Sequence, residues 1–157
     1  MRSPTRHMVL AAVVTLVVAG LGAGTGLAQD KNKIIAERQE LMTQQGREMV
    51  VVRNYFQDKA DQAAAIAAME SLKKSVPTVA NYFPPGTEGP SPDGKWAPKP
   101  EVWSEHDKFL AADKKVADQL AALDAAVKSG DKTRVEAQFK EIGFCSACHD
   151  TFRAKLQ

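Results

Sequence analysis

Apolar residues recur at helical spacing in four stretches of this chain, and no stretch alternates with the period of two that a half-buried strand requires. The first stretch runs from about Lys31 to Gln57, with Ile35, Met42, Met49 and Phe56 seven residues apart and Val52 on the same side. Glu37, Glu40, Gln44, Arg47 and Arg53 fall on the solvated face. The second, about Ala60 to Asn81, carries Ile66, Met69, Leu72, Val76 and Val79 in an alanine-rich, strongly helix-forming background. Pro77 is expected to bend or shorten its end. Residues Pro84 to Pro100 then hold six of the eight prolines, with Gly86, Gly89 and Gly94, and a helix cannot pass through them. Pro100 suits the first position of a third helix, to about Lys128, with Val102, Phe109, Val116 and Leu123 in heptad spacing. Gly130 follows as a stop and Asp131 as the N-cap of a fourth helix, to about Ala154. Its stripe reads Val135, Ile142, His149 and Leu156, flanked by Phe139 and Phe152. Two short links and one longer loop between four amphipathic helices predict an all-α, antiparallel up-down four-helix bundle.

The first residues stand apart from this pattern. Arg2 and Arg6 precede an uncharged apolar run from Met8 to Gly20, and Gly26 and Ala28 flank Leu27 as signal peptidase requires. The run is too short, and too interrupted by glycine, for a spanning helix. Residues 1–28 therefore read as a cleaved secretory signal, and 29–157 as one domain of the exported protein. The leader holds two of the chain's 21 Lys and Arg and none of its 19 Asp and Glu, so the remainder is formally neutral. Basic and acidic residues interleave along it, which excludes the concentrated basic face of a nucleic-acid binder. No later segment is apolar enough to span a membrane.

Cys145 and Cys148 are the only cysteines, in Cys145-Ser146-Ala147-Cys148-His149. This is C-x-x-C-H, the attachment motif of c-type haem. On a helix, residues three and four apart share a face. Two thiols so placed reach the two vinyl groups of one haem edge, and the next residue brings an imidazole to the iron as proximal ligand. Three plainer readings compete. A thioredoxin-like pair opens a helix after a strand, whereas this pair is expected near the end of a helix. A disulfide closing so short a loop would add little stability. A zinc site lacks a fourth ligand, His106 being the only other histidine outside the leader. His149 falls on an otherwise apolar stripe, where an unpaired imidazole would be costly and an iron ligand resolves the cost.

With this motif close to the C-terminus of a four-helix chain, the sequence resembles the class II cytochromes c, the cytochrome c′ family. Arg38-Gln39-Glu40-Leu41-Met42, Phe83-Pro84-Pro85-Gly86-Thr87-Glu88-Gly89, Pro100-Glu101-Val102-Trp103-Ser104 and Cys148-His149-Asp150-Thr151-Phe152-Arg153 carry the likeness. The resemblance implies one covalent haem c on Cys145 and Cys148, with His149 on the iron. High-spin members place an apolar residue over the open iron face and bind small gases; low-spin members place a methionine there and carry electrons. Met42 stands at that place, and the resemblance therefore implies a low-spin His/Met-ligated electron carrier rather than an enzyme, with a gas-binding cytochrome c′-like protein as the alternative. Met49 lies on the same stripe but ~10 Å deeper at ~1.5 Å per residue. Only one can meet the iron, and the antiparallel ends of the first and fourth helices set Met42 level with His149, with core packing the plainer reading of either methionine. By the same resemblance Arg38, Gln39 and Glu88 lie at the haem edge, and Arg153, four residues after His149, reaches toward a propionate. Trp103 reads as packing and His106 as surface. Partners are expected to be periplasmic redox proteins, and the oligomeric state a monomer or homodimer.

Overall fold

The computed structural model describes residues 23–143 and 145–156. Residues 1–22 of the expected leader lie outside the described residues. Helix α1 (Ala23–Phe56) is one continuous rod, since no proline and only one glycine past its first turns, Gly46, interrupt it. Helix α2 (Gln62–Ser75) starts at Asp61, whose carboxylate accepts from the Ala64 backbone N–H at 2.7 Å. At Val76 it tightens into a 3₁₀ segment, Val76–Tyr82, around Pro77, which is the shortening expected of that residue. A long loop leads through strand β1 (Trp96–Pro98) to a single turn, α3 (Glu101–Ser104), and then to α4 (His106–Ser129). Gly130 ends α4 in the left-handed conformation at φ 78°, and Asp131 caps α5 (Lys132–Ile142) by accepting from the Arg134 N–H at 3.0 Å. Helix α6 (Ser146–Phe152) and strand β2 (Arg153–Lys155) close the chain.

Helix α1 packs on α2 and α5, and α4 packs on the same two, so the four long helices form the expected antiparallel bundle. Its core is the four predicted stripes brought together: Met49, Val52, Met69, Leu72, Leu123 and Val135 are all within 1% of fully buried. A smaller apolar cluster, Val102, Phe109 and Phe152, fills the end of the bundle where α3, α4 and α6 meet. Phe109 sits edge-on to Phe83 and Phe152, with ring centroids 5.0 and 5.4 Å away. Among the described residues no helix is long and apolar enough to cross a membrane.

Three expectations need correction. The third helix is interrupted at Glu105 (φ −121°), and Pro100 stands one residue before the helical turn as its N-cap. The fourth helix ends at Ile142: Gly143 (φ 49°) and Cys145 (φ 66°) both take left-handed backbone, and the chain restarts as α6. The apolar heptad therefore does not run through His149 to Leu156. Leu156 follows a strand instead, and its N–H bonds to the Lys95 carbonyl at 2.8 Å. Lastly, the chain does contain strands: β1 and β2 pair antiparallel, with Trp96 opposite Lys155, Ala97 opposite Ala154 and Pro98 opposite Arg153. A three-residue ribbon is too short to leave a periodic signature.

Candidate functional site

The motif occupies a turn of its own. Cys145 holds left-handed backbone at the start of α6, a conformation that costs a non-glycine residue about 1–2 kcal/mol. Its N–H bonds to the Ile142 carbonyl at 2.8 Å, and its carbonyl accepts from the N–H groups of Cys148 at 3.1 Å and His149 at 3.2 Å. The strained residue thus links the end of α5 to the first turn of α6. Cys145, Cys148 and His149 are brought together on the wall of a cavity of about 390 Å³ between α1, α4, α6 and the long loop. Val76, Val79, Val102, Phe109 and Phe152 make its lining largely apolar.

Because Cys145 opens a helix, position alone does not dismiss a thiol-redox pair, contrary to the expectation that it lay near a helix end. The thiol environment runs against it. Burial, reinforced by the Asp113 carboxylate, pushes Cys145 up to about 11 and Cys148 up to about 12, and Arg153 only partly offsets this. A redox thiol needs the opposite shift. Among the described residues no group of three or more His, Cys, Asp or Glu gathers in a way that would hold a metal ion.

From α1, both methionines reach the cavity. Met42 lines it half-buried and Met49 lines it almost fully buried. Arg38, 6% exposed, donates from Nη1 to the Tyr82 carbonyl and from Nη2 to the Thr87 carbonyl, each at 3.2 Å, and its guanidinium lies 4.6 Å from the centre of the Phe83 ring. Burial lowers its pKa and the nearby Glu88 charge raises it in part. Arg38 therefore fastens the loop to α1 while keeping further N–H donors for an anion at the cavity. Gln39 also lines the cavity, and its Oε1 is buried without a hydrogen-bond partner. Arg153 lines the cavity from β2, with its guanidinium 4.1 Å from the centre of the Trp96 ring. Glu88 is not among the cavity's lining residues. It is exposed, accepts from the Gly86 N–H at 3.0 Å, and is held below the usual carboxylate range by its own and the Gly86 backbone N–H groups, with Lys31 and Arg38 adding to the effect. Trp103 donates from Nε1 to the Phe83 carbonyl at 2.9 Å, the packing role expected of it, and His106 is exposed.

Sequence reasoning missed Gly46, Trp96 and Asp113, which also line the cavity. Gly46 had a legible signal, because glycine inside a helix costs about 1 kcal/mol relative to alanine and wants a reason. A Cβ built there meets nothing within 4 Å, so the position opens onto free space.

The residues present fit a haem. An apolar slot, two thiols three residues apart with an imidazole one residue on, and arginines whose N–H groups can donate to propionates suit such a group. Fold and site together define a c-type haem protein built as a four-helix bundle. The cytochrome C′ family model matches residues 33–153, and the chain belongs to that family, whose members bind one covalently attached haem c. It is 35% identical over 113 residues to a cytochrome c′ of Alcaligenes xylosoxydans xylosoxydans, covering 70% of this chain and 81% of that protein. It is 40% identical over 94 residues to a cytochrome c′ of Rubrivivax gelatinosus, covering 59% and 69%. Among solved structures, the nitric oxide complex of a mutant cytochrome c prime from Alcaligenes xylosoxidans superposes with a TM-score of 0.67 at 30% identity, covering 82% of this chain and 96% of that one.

Proposed function

We propose that this chain is an exported, periplasmic haem c protein that presents an open distal face to a small gas such as nitric oxide. The observation carrying this reading is the match along residues 33–153 to a family whose members are typically high-spin and five-coordinate. A structural relative solved as a nitric oxide complex supports it. Cys145 and Cys148 would hold the haem and His149 would bind its iron from the α6 side. When bound, the haem supplies a redox-active iron with one position for a small ligand. The apolar lining from Val76 to Phe152 excludes water, while Gln39 and Arg38 offer polar contact at the α1 side.

A second reading rests on Met42. Its thioether lines the same cavity from α1, and as a sixth ligand it would leave no place for a gas and make the protein a low-spin electron carrier. Absorption of the haem-loaded protein separates the two. The first reading expects a high-spin ferric spectrum, carbon monoxide uptake by the ferrous protein, and little change in either on Met42→Ala. A low-spin ferric spectrum with a methionine-to-iron charge-transfer band, and carbon monoxide uptake only after Met42→Ala, would replace it with the second.

A further inference from the structure

The exported part of the chain is formally neutral, and along the sequence its charges interleave; folding changes that distribution. The register of the β1–β2 ribbon brings Lys95 and Lys99, which flank β1, beside Arg153 and Lys155 of β2. Residues 95–99 and 153–156 contain four cations and no carboxylate. Directly opposed and diagonal residues of an antiparallel pair share a face, so Trp96, Pro98, Arg153 and Lys155 lie on one side of the ribbon, while Lys95 and Lys99 continue the alternation on its other side and charge the ribbon from both faces. Trp96, Pro98 and Arg153 of that set line the haem cavity. Lys95, Arg153 and Lys155 are exposed, the Lys95 side chain at 73%. The neighbouring acids include Asp93 and Asp150, and Asp113 lines the same cavity as Trp96 and Arg153. Asp93 is occupied by Ser91 Oγ at 2.6 Å and the Lys95 N–H at 3.1 Å, and lies 4.0 Å from Lys95 Nζ; Asp150 is exposed, and its backbone carbonyl accepts from Lys99 Nζ at 3.3 Å. Arg153 shares the wall of one cavity with Cys145 and Cys148, so the ribbon borders the haem-binding turn.

We propose that the β1–β2 ribbon is a docking surface for a redox protein that presents a carboxylate-rich face, and that electrons enter and leave the haem beside Trp96. The inference rests on the haem-carrying reading of the same cavity and holds whichever group takes the sixth iron position. A cluster of one sign at a cavity mouth raises the encounter rate with an oppositely charged partner and loses that advantage with salt.

The test uses the haem-loaded protein, with haem content and ferric spectrum measured first, so that loss of the haem is recognised separately. One electron passes from the ferrous protein to ferricyanide, leaving ferric protein and ferrocyanide, and stopped-flow absorption gives the rate. Lys95→Glu/Lys155→Glu is compared with Lys59→Glu/Arg134→Glu, an exposed pair in the link from α1 to α2 and in the first turn of α5 that makes the same change in net charge. At about 10 mM ionic strength the ribbon variant should react about ten-fold more slowly with ferricyanide and faster with the cationic tris(phenanthroline)cobalt(III). The control pair should change either rate less than about two-fold, and 1 M salt should erase the difference. Poly-L-glutamate should slow the wild-type reaction and leave the ribbon variant unaffected. Equal effects from the two variant pairs would overturn the proposal. So would binding to phosphatidylglycerol vesicles without any effect of poly-L-glutamate, which would mark a lipid-facing surface instead.

Discussion

Replacing Phe109 tests whether the small aromatic cluster, rather than the bundle core alone, fixes the haem-binding turn. The side chain is 1% exposed, lines the cavity, and holds Phe152, three residues after His149, and Phe83, at the start of the loop. Phe109→Ala removes about 2–3 kcal/mol of transfer free energy and two edge-to-face pairs worth about 0.5–1.5 kcal/mol each. Partial collapse into the neighbouring cavity returns some of this, which places the loss at about 3–5 kcal/mol. Phe109→Leu keeps most of the apolar volume and loses only the ring geometry, so it should cost about 1–2 kcal/mol. Urea unfolding of the haem-loaded protein, followed by far-UV circular dichroism and by the Soret band, measures both. The covalently held group stays with the chain in both states, so linear extrapolation applies if the two probes coincide. The alanine variant should also broaden the Soret band before unfolding, because α6 loses its lateral support. An alanine variant within about 1 kcal/mol of wild type, or a leucine variant as damaging as the alanine one, would refute this role for the ring.

Two further outcomes follow from the electrostatics. Asp124 is buried, which by itself would raise its pKa, but hydrogen bonds from Lys73 Nζ at 2.8 Å and Lys128 Nζ at 3.0 Å outweigh this and hold it below the usual carboxylate range. Its folded pKa is depressed, so its contribution to stability is complete above the unfolded value of about 3.9 and is lost as pH falls through the folded value. The urea midpoint should therefore drop less between pH 5 and pH 2 in Asp124→Asn than in wild type; parallel curves would contradict this. Second, in chain made without haem attachment, iodoacetamide at pH 8 should react about ten-fold more slowly with Cys145, and about thirty-fold more slowly with Cys148, folded than unfolded. Their thiolate fractions fall by at least two orders of magnitude, partly offset by higher nucleophilicity. Equal rates would show that the thiols are not buried as described.

The helices and the haem motif were legible because their determinants are local. Ile35, Met49, Val52 and Leu123 repeat at helical spacing, Gly130 and Asp131 sit where helix ends need them, and C-x-x-C-H is contiguous. The break at Gly143 was hidden because apolar spacing continues from Ile142 to His149 and imitates an unbroken helix. The β1–β2 ribbon was hidden for the opposite reason: Trp96 and Lys155 become neighbours only through tertiary pairing, and the cationic cluster they help form exists in no single stretch of sequence. Arg38 was placed at the haem edge by resemblance alone, whereas its burial comes from partners that follow it by more than forty positions. Local chemistry was readable; proximity across the fold was not.

The mass of the denatured protein, exported from cells competent in haem attachment, bears most directly on the whole account. It should exceed the mass of the processed chain by one haem, with tryptic mapping placing the addition on the peptide holding Cys145 and Cys148 and the colour surviving acid-acetone extraction. A colourless protein at the unmodified mass, or one whose two cysteines are merely joined to each other, would contradict it.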